Sequence, residues 1–401
     1  MKAKGVNKKV SYVKESVWGE LAGPGGGKQL RRVTFDANLT KETYQSEEIR
    51  TDYQIADMRH GVRSTECSLS AELSPGSYSD FIGSVLAKDF ASVPSVTGLE
   101  VTIATSGTNF TITRSAGDYL ADGVKVGSVI RLTGAGLNAA NVDNNLLVIA
   151  VTATVLTVKV LSATTLVAEG PIASVDITYP GKQSYVPLTG HTDDSYTIEQ
   201  WYSDINQSEV FTGNRVGTAS ISLPATGLVT ADFSFTGKDL ARTGTTEYMT
   251  SPAAANNNGI FAAVQGAMII NGTEGACITD ASIEINREQE PAQCVGSNFA
   301  SEIFTGTINV TGSLSAYFSD GTLRDYFDNE TEVTIVLALT TSEAKDADFM
   351  SFVMPRVKLG SYNHADAQLG IVDSIDFTAL LKGKNTDGLI ESTIMIQDSQ
   401  A

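Results

Sequence analysis

One stretch of the chain, LSAELSPGSYSDFI at residues 69–82, has the pattern of a strand, a tight turn and the start of a helix. A second stretch, LSAYFSDGTLRDYF at residues 314–327, repeats that pattern. Aligned without a gap, the two share the pairs Leu69/Leu314, Ser70/Ser315, Ala71/Ala316, Ser74/Ser319, Gly76/Gly321 and Asp80/Asp325. Apolar and polar residues alternate before a Pro-Gly or Asp-Gly turn, so each copy predicts a strand that leads into a short helix.

The helix of the first copy is predicted within residues 79–90, SDFIGSVLAKDF, with Ser79 and Asp80 as N-terminal caps. Helical spacing places four apolar side chains on one face: Phe81, Ile82, Val85 and Leu86. The counterpart helix is predicted at residues 323–327. Helical patterns are rare elsewhere, whereas period-two alternation is common, so the chain is predicted to be mainly β.

Further segments match in the same order, which extends the repeat beyond the opening stretch. Arg215-Val216 matches Arg356-Val357, and Phe235-Thr236 matches Phe377-Thr378. Each copy then runs strand, strand, helix, strand, strand. We interpret the chain as a tandem duplication of one β-rich unit, each with a short helix.

A block of different composition, residues 95–181, interrupts the first copy. Aromatic residues are rare in it, and short apolar segments such as GSVIRLTGAG and VLTVKVL alternate with Gly, Asn and Asp turns. This pattern predicts a small inserted β-barrel or sandwich. Because an insertion must leave the ends of its host close together, we expect a separable domain on the outer surface.

The predicted organisation has five parts. Residues 1–94 and 182–245 form the first unit, 95–181 the insert, 246–278 a linker or loop, and 279–401 the second unit. A chain of 401 residues is long enough for each part to bury its own core.

Charge limits the classes of function. The chain has 28 basic and 46 acidic residues, a net charge of −18, so tight binding to nucleic acid is not expected. No apolar run reaches the roughly 18 residues of a membrane helix, so no membrane insertion is expected. The basic start, MKAKGVNKKVSYVKE, lacks the apolar segment of a signal peptide, and we expect synthesis in a cytoplasm.

Residue types that carry chemistry are few and scattered. Three cysteines (Cys67, Cys277, Cys294) and three histidines (His60, His191, His364) lie far apart, which predicts reduced structural thiols and surface imidazoles. The loop AGPGGGKQ at 22–29 lacks the first glycine and the final Ser or Thr of a phosphate loop, so a flexible loop is expected. Asp193-Asp194 and Glu47-Glu48 lie in polar runs and are interpreted as solvated turn charges. The sequence therefore predicts no enzyme, with no catalytic, cofactor-binding or metal-binding residues.

The N-terminal run from Gly5 to Gly61 resembles the start of the tail tube proteins of phages with long, flexible tails. The likeness rests on the basic leader, the loop at Trp18, the strand at Arg31-Arg32-Val33, the run Ser46-Glu47-Glu48-Ile49 and the stretch 69–82. The pattern of the insert also resembles a small β module found inserted in phage tail proteins. Together with the second copy, the resemblance covers most of the chain.

The resemblance implies a structural virion protein, made in the host cytoplasm. Family members are β-sandwiches flanked by a helix that join into rings, and the rings stack into a tube through which DNA is ejected. The implied partners are other copies of the chain and the tape measure, tail terminator and distal tail proteins, with DNA only in passage. Two units in one chain imply a trimeric ring with pseudo-sixfold symmetry, with a hexamer as the alternative.

Two other classes remain open from the sequence. A surface or adhesin-type β-sandwich would require a signal peptide, and a carbohydrate-active enzyme on a β scaffold would require two convergent carboxylates.

The wide spacing of the Cys and His residues generates a first prediction. Elemental analysis of the purified protein is expected to find no metal in stoichiometric amount, because its Cys and His residues are too dispersed to form a site. A metal content near one ion per chain that survives dialysis against a chelator would contradict this.

Overall fold

The computed structural model describes residues 2–274, 277–365, 370–384 and 387–401, so small parts of the predicted linker and second unit lie outside the described residues. A 3-10 turn occupies Gly5–Asn7, and the helices are α1 (Ser79–Val85) and α2 (Thr322–Asp328). The strands in chain order are β1 (Lys8–Lys14), β2 (Lys28–Gln29), β3 (Thr34–Gln45), β4 (Met58–Glu72), β5 (Val96–Ser106), β6 (Asn109–Arg114), β7 (Val129–Thr133), β8 (Leu146–Val151), β9 (Val155–Val160), β10 (Glu169–Thr178), β11 (Lys182–Tyr185), β12 (Tyr196–Tyr202), β13 (Gln207–Pro224), β14 (Thr230–Gly237), β15 (Asp239–Gly244), β16 (Gly266–Ile270), β17 (Thr273–Glu274), β18 (Ile278–Ala292), β19 (Glu302–Tyr317), β20 (Val333–Thr340), β21 (Phe349–Leu359), β22 (Asn363–Ala365), β23 (Val372–Ala379) and β24 (Met395–Asp398).

The mainly β prediction is confirmed. Eighteen strands belong to one hydrogen-bonded network, and β5 to β10 close into a six-stranded barrel in the order β10-β5-β6-β9-β8-β7. The barrel spans residues 96–178 and thus lies inside the block 95–181, which differs in composition from the rest of the chain.

Helix α1 forms where its apolar spacing predicts, and Phe81, Ile82, Val85 and Leu86 are all buried. The predicted caps are wrong, because Tyr78 occupies the N-cap position without a side-chain hydrogen bond. Ser79 donates instead to Asp398 across the fold (3.0 Å), and Asp80 pairs with Lys28 (2.6 Å). Tertiary partners thus take the polar groups that capping would use.

The network has two halves with the same order of pairing. In the first half the order is β3-β4-β14-β13-β12-β1, with β15 also on β13. In the second half it is β18-β19-β23-β21-β20-β16, with β24 also on β21. Every one of these pairs is antiparallel.

Irregularities of register occur at matching places in the two halves. Lys41 pairs with Arg63 and, after a bulge, Thr43 pairs with His60; likewise Arg287 pairs with Ile308 and Gln289 with Thr305. The β12–β13 register shifts between Tyr196/Asn214 and Ile198/Phe211, and the β20–β21 register between Val333/Val357 and Ile335/Met354. Bulges of this kind are specific features of a strand pair.

The pairings also correct one sequence match. Val216 lies opposite Phe235, whereas Leu359 lies opposite Phe377, so Leu359 is the counterpart of Val216. The match of Arg215-Val216 with Arg356-Val357 is therefore displaced by two residues. Such a slip keeps every side chain on the same face, which is why alternation alone did not expose it.

The segment 246–278, expected to be a linker or loop, contains two strands. β16 pairs with β17 and with β20, as β1 pairs with β2 and with β12. These strands complete the second half in the same way that the N-terminal hairpin completes the first.

The barrel packs closely on the second half. Strand β20 is buried on both faces: Ile335, Leu337 and Leu339 point into the main core, and Val336 and Ala338 point into the core of the barrel. Other residues of the second half that join the barrel core are Ile269, Phe349, Val353, Leu389 and Met395. The insert is therefore a closed domain whose core continues into its host.

Polar contacts fix the same interface. The buried side-chain amide of Gln397 accepts from the Val129 backbone N–H and donates to the Val129 carbonyl, both at 2.9 Å. Ser351 donates to the Gly127 carbonyl (3.2 Å), and Asn145 donates to the Ala347 carbonyl (2.7 Å). These bonds satisfy groups that would otherwise be buried without partners.

This packing generates a second prediction. A variant that lacks 94–181, with Val93 joined to Lys182 by a short Gly/Ser linker, should aggregate, because Val336, Phe349, Val353 and Met395 become exposed as one apolar patch. Static light scattering and a thermal melt measure the effect. Adding Val336→Thr and Val353→Thr to the deletion should recover part of the solubility. A deletion variant that stays monodisperse and melts like the full chain would contradict the prediction.

Candidate functional site: acidic sheet face and open strand edges

A continuous run of antiparallel strands crosses both halves in the order β3, β4, β14, β13, β18, β19, β23. Alternate residues of these strands, such as Phe35, Leu69, Phe233, Ile283 and Phe377, are buried in the main core. The intervening residues therefore lie on the opposite face of the sheet. We call this the open face.

Directly paired residues share a face, so the register defines rows of side chains across the open face. One row is Thr34, Ser70, Asp232, Ser220, Glu284, Thr311 and Thr378. A second is Asp36, Ser68, Ser234, Thr218, Asn286 and Asn309. A third is Glu72, Thr230, Ser222, Ser282, Ser313 and Asp376.

Each residue in these rows is Ser, Thr, Asn, Asp or Glu, and each charged one is a carboxylate. Neighbouring hydroxyls bond across strands, as between Thr218 and Ser234 (2.6 Å) and between Ser282 and Ser313 (2.8 Å). The open face is thus a hydrated surface of short polar side chains with fixed negative charge. Along these seven strands such a surface repels phosphates, and the first row continues beyond them from Thr378 to Lys358 of β21.

The barrel lies on the other side of the molecule from the open face. Between them, in order, are the main core, the layer that contains β20, and the core of the barrel. The open face is therefore clear of the insert.

Two strand edges are open at the ends of this run. Within the described residues, β3 pairs only with β4, and β22 pairs only with β23. An unpaired edge exposes a row of backbone donors and acceptors that pairs readily with another strand. The two edges lie at opposite ends of the same sheet.

The junction between the halves shows how such edges pair in this protein. Thr218 to Pro224 of β13 pair with Asp280 to Asn286 of β18. The same part of β13 also pairs with β14, so it is an interior strand here. We call this the internal junction.

A buried arginine locks the internal junction. Arg287 has 6% of its surface exposed and donates to the carbonyls of Ser84 and Thr192, both at 3.1 Å. It also pairs with the carboxylate of Asp193. Burial lowers the pKa of Arg287, and the Asp193 carboxylate opposes that shift. The charge is retained inside the protein because it is paired and hydrogen-bonded.

Two further side chains, Arg215 and Gln289, support the junction. Arg215 donates to the Ile303 carbonyl and lies 3.7 Å from the Glu302 carboxylate. Gln289 donates to the Val216 carbonyl (3.0 Å). Sequence reasoning missed all of these residues, because an arginine in an alternating strand gives no sign of whether it is buried.

Asp194 is not the solvated turn charge that the sequence suggested, whereas Asp193 is exposed as predicted, with 46% of its side chain accessible, and is paired as well. Asp193 pairs with Arg287, and Asp194 pairs with Lys14 (2.7 Å) with only 11% of its side chain exposed. Burial raises the pKa of Asp194, while the Lys14 ammonium opposes that shift. Both carboxylates hold the segment before β12 in place.

The other sequence-selected residues do not converge. Cys67 is buried, whereas Cys277 and Cys294 are exposed, and all three are free thiols. His60 and His191 are exposed, and His364 lies 2.8 Å from the buried Asp373 carboxylate. The loop at 22–29 ends in β2, where Lys28 pairs with Asp80 rather than facing an anion site. Glu47 and Glu48 are exposed.

The described residues contain no group of three or more His, Cys, Asp or Glu residues placed to hold a metal ion. Neither is there, in the ranges that the structure describes, a helix long and apolar enough to cross a membrane.

These observations define a β-sheet protein that presents a broad polar face and two unpaired edges. The sequence model of one family, described as phage tail tube protein, matches residues 5–379. Because the match spans nearly the whole chain, the chain belongs to that family. It is accordingly a structural protein of the phage tail, located in the virion. A comparison with curated proteins gives no match.

The internal junction generates a third prediction. Arg287→Met should lower the free energy of unfolding by about 1–3 kcal/mol, because it removes the donor to the Thr192 carbonyl and the cation beside Asp193, whose side chain is 46% exposed and stays hydrated. Urea unfolding followed by fluorescence measures the change. Arg59→Met is the matched control: the Arg59 side chain is 81% exposed and pairs only at the surface, so its loss should leave the midpoint unchanged. Equal midpoints for the two variants would refute the role of Arg287.

Proposed function

We propose that the chain is a duplicated tail tube subunit, with two tube units in one polypeptide and the barrel inserted in the first. The support is the identical order of strand pairing in the two halves and the matching bulges in β3–β4 and β18–β19 and in β12–β13 and β20–β21. Both halves also begin with a short hairpin and place a helix after the second long strand. The units are thus 1–94 with 182–245, and a second unit that begins with β16.

We propose that subunits join by pairing the β3 edge of one copy with the β21–β22 edge of the next. The internal junction, in which β13 pairs with β18, supplies the register. In the repeat, β18 corresponds to β3, and β13 corresponds to the segment that runs from β21 into β22. Within the chain, Thr218, Ser220 and Ser222 lie opposite Asn286, Glu284 and Ser282. The corresponding pairs between copies are Ser361 with Thr40, Asn363 with Asn38, and Ala365 with Asp36.

Closure of the sheet into a ring fixes the number of copies. The strand tilt and stagger set the circumference of a closed barrel, and closure removes every free edge. Family resemblance implies six units in a ring, and each chain supplies two, so three chains form one ring. A hexamer of whole chains is the alternative.

We propose that the open face lines the lumen of the tube and the barrel lies outside. The supporting observations are the three polar rows, whose charges are all carboxylates, and the position of the barrel on the opposite side of the main core. A negative, hydrated wall lets DNA pass without adhering, because phosphates are repelled. Stacked rings then form the conduit for genome ejection in a long, flexible tail.

The remaining partners follow from that role. We propose contacts with the tape measure, tail terminator and distal tail proteins, assembly in the host cytoplasm, and no catalytic activity. DNA is a transient occupant of the lumen rather than a ligand.

The fourth prediction tests the ring. Electron microscopy of the concentrated protein should show rings or tubes with three chains per ring and threefold symmetry. The reason for threefold rather than sixfold symmetry is that only one unit of each chain carries a barrel. Six whole chains per ring, or a second half placed outside the barrel wall, would refute the arrangement. A protein that stays monomeric at high concentration would overturn the tube role itself.

A further inference from the structure

A concave slot lies beside the open edge of the second half. It has a volume of about 410 Å³ and is lined by Phe327, Asp328, Glu330, Lys358 and Leu359. These residues come from the end of α2, the loop after it and the end of β21. Glu330 and Lys358 pair at 3.2 Å, with 80% and 44% of their side chains exposed. We call this the α2 slot.

The first half has the same slot, and there it is filled. Asp193 precedes Tyr196 by the same interval as Glu330 precedes Val333, and these two residues occupy equivalent places in the register. Tyr196 pairs with Asn214, which Arg215 follows in the chain. Val333 pairs with Val357, which Lys358 follows. In the first half the space between Asp193, Arg215 and the end of α1 holds the side chain of Arg287.

The counterpart of Arg287 is Lys41. Arg287 pairs with Ile308 immediately before the bulge in β18–β19, and Lys41 pairs with Arg63 immediately before the bulge in β3–β4. Lys41 lies on the open edge strand β3 and is exposed. Each of the two equivalent positions thus carries a cation, but among the described residues a cation from β18 fills the slot of the first half and none from β3 fills the α2 slot.

We propose that Lys41 of a neighbouring copy enters the α2 slot and pairs there with Glu330. This inference rests on the proposed ring, and it assigns the charge pair that locks each junction between chains. The occupant is a second copy of this chain, because the occupant of the equivalent slot is this chain's own Arg287.

The charges of the slot favour that occupant. The lining holds two carboxylates, Asp328 and Glu330, and one ammonium, Lys358. Asp328 also pairs with Arg324 at the surface (3.2 Å). Glu330 is therefore the carboxylate that corresponds to Asp193, the partner of Arg287 in the first half. The internal junction already tolerates two cations, since Arg215 lies close enough to Arg287 to lower its pKa. A second cation in the α2 slot repeats that arrangement.

Charge reversal in the full chain tests the pair. Lys41→Glu and Glu330→Lys should each raise the concentration needed for half-maximal ring formation at least about tenfold, because like charges then meet in a covered slot. The double variant Lys41→Glu/Glu330→Lys restores an opposite pair at every junction and should recover most of the assembly. Lys125→Glu is the control: it makes the same change of charge on the barrel, away from both edges. Sedimentation velocity over a concentration series, with negative-stain images, supplies the readout.

Folding is checked separately, since both side chains are exposed in the single chain. The unassembled single variants should therefore melt like the wild type, and Glu330→Gln, which removes attraction without adding repulsion, should weaken assembly less than Glu330→Lys. Single variants that assemble like the wild type would overturn the proposed pair and leave the tube role intact. A double variant no better than the single ones would also overturn it. A wild-type protein that forms no rings would remove the proposed function and this inference together.

Discussion

The pairing of β13 with β18 is the interaction on which the rest of the molecule depends. It turns two separate sheets into one, because the same residues of β13 bond to β14 on one side and β18 on the other. It also decides which strands form the two ends of the sheet. A sheet that is continuous through its middle must end somewhere, and here it ends at β3 and at β22. The backbone N–H and C=O groups at those ends are of the same kind as those that form hydrogen bonds at the internal junction.

The layered arrangement separates two properties that one sheet could not combine. Residues that alternate along β4, β14 and β19 give a polar surface on one side and a core on the other. Strand β20 has no polar side, because it lies between the main core and the core of the barrel. The insert therefore covers the apolar side chains on the outer side of β20, while the open face keeps its polar side chains. This is the physical reason that the barrel cannot be regarded as an independent attachment.

Sequence reasoning predicted the features that depend on local pattern. The strand-turn-helix at 69–82, the burial of Phe81 and Val85, and a barrel at the interrupting block all follow from periodicity and turn residues. It failed where the outcome depends on partners distant in sequence. Asp194 looks solvated until Lys14 is brought beside it, and the residues of β16 look like a linker until β20 pairs with them. The two-residue slip at Arg215 has a different cause, since a register that preserves alternation is invisible to pattern matching.

For the open face, the composition could be read from the sequence but the placement of its residues could not. Carboxylates such as Asp232 and Glu284 are ordinary surface residues in the sequence, and only the register shows that they share a row with Ser220. The exclusion of Lys and Arg from three rows along the seven strands from β3 to β23 is a property of the assembled sheet. No single strand carries enough of it to be recognised.

The chain segment between β15 and β16 has a consequence for how a ring can be built. In the ring proposed above it tethers the two halves of the chain, so that one junction in every two closes within a molecule, at a high effective concentration that does not depend on the amount of protein in the cell. A ring of six units then requires three bodies to meet rather than six. Intermediates with an odd number of units cannot exist, and each collision adds a preformed pair. Tethering therefore acts on the kinetics of assembly, by shortening the sequence of bimolecular encounters through which a ring must pass.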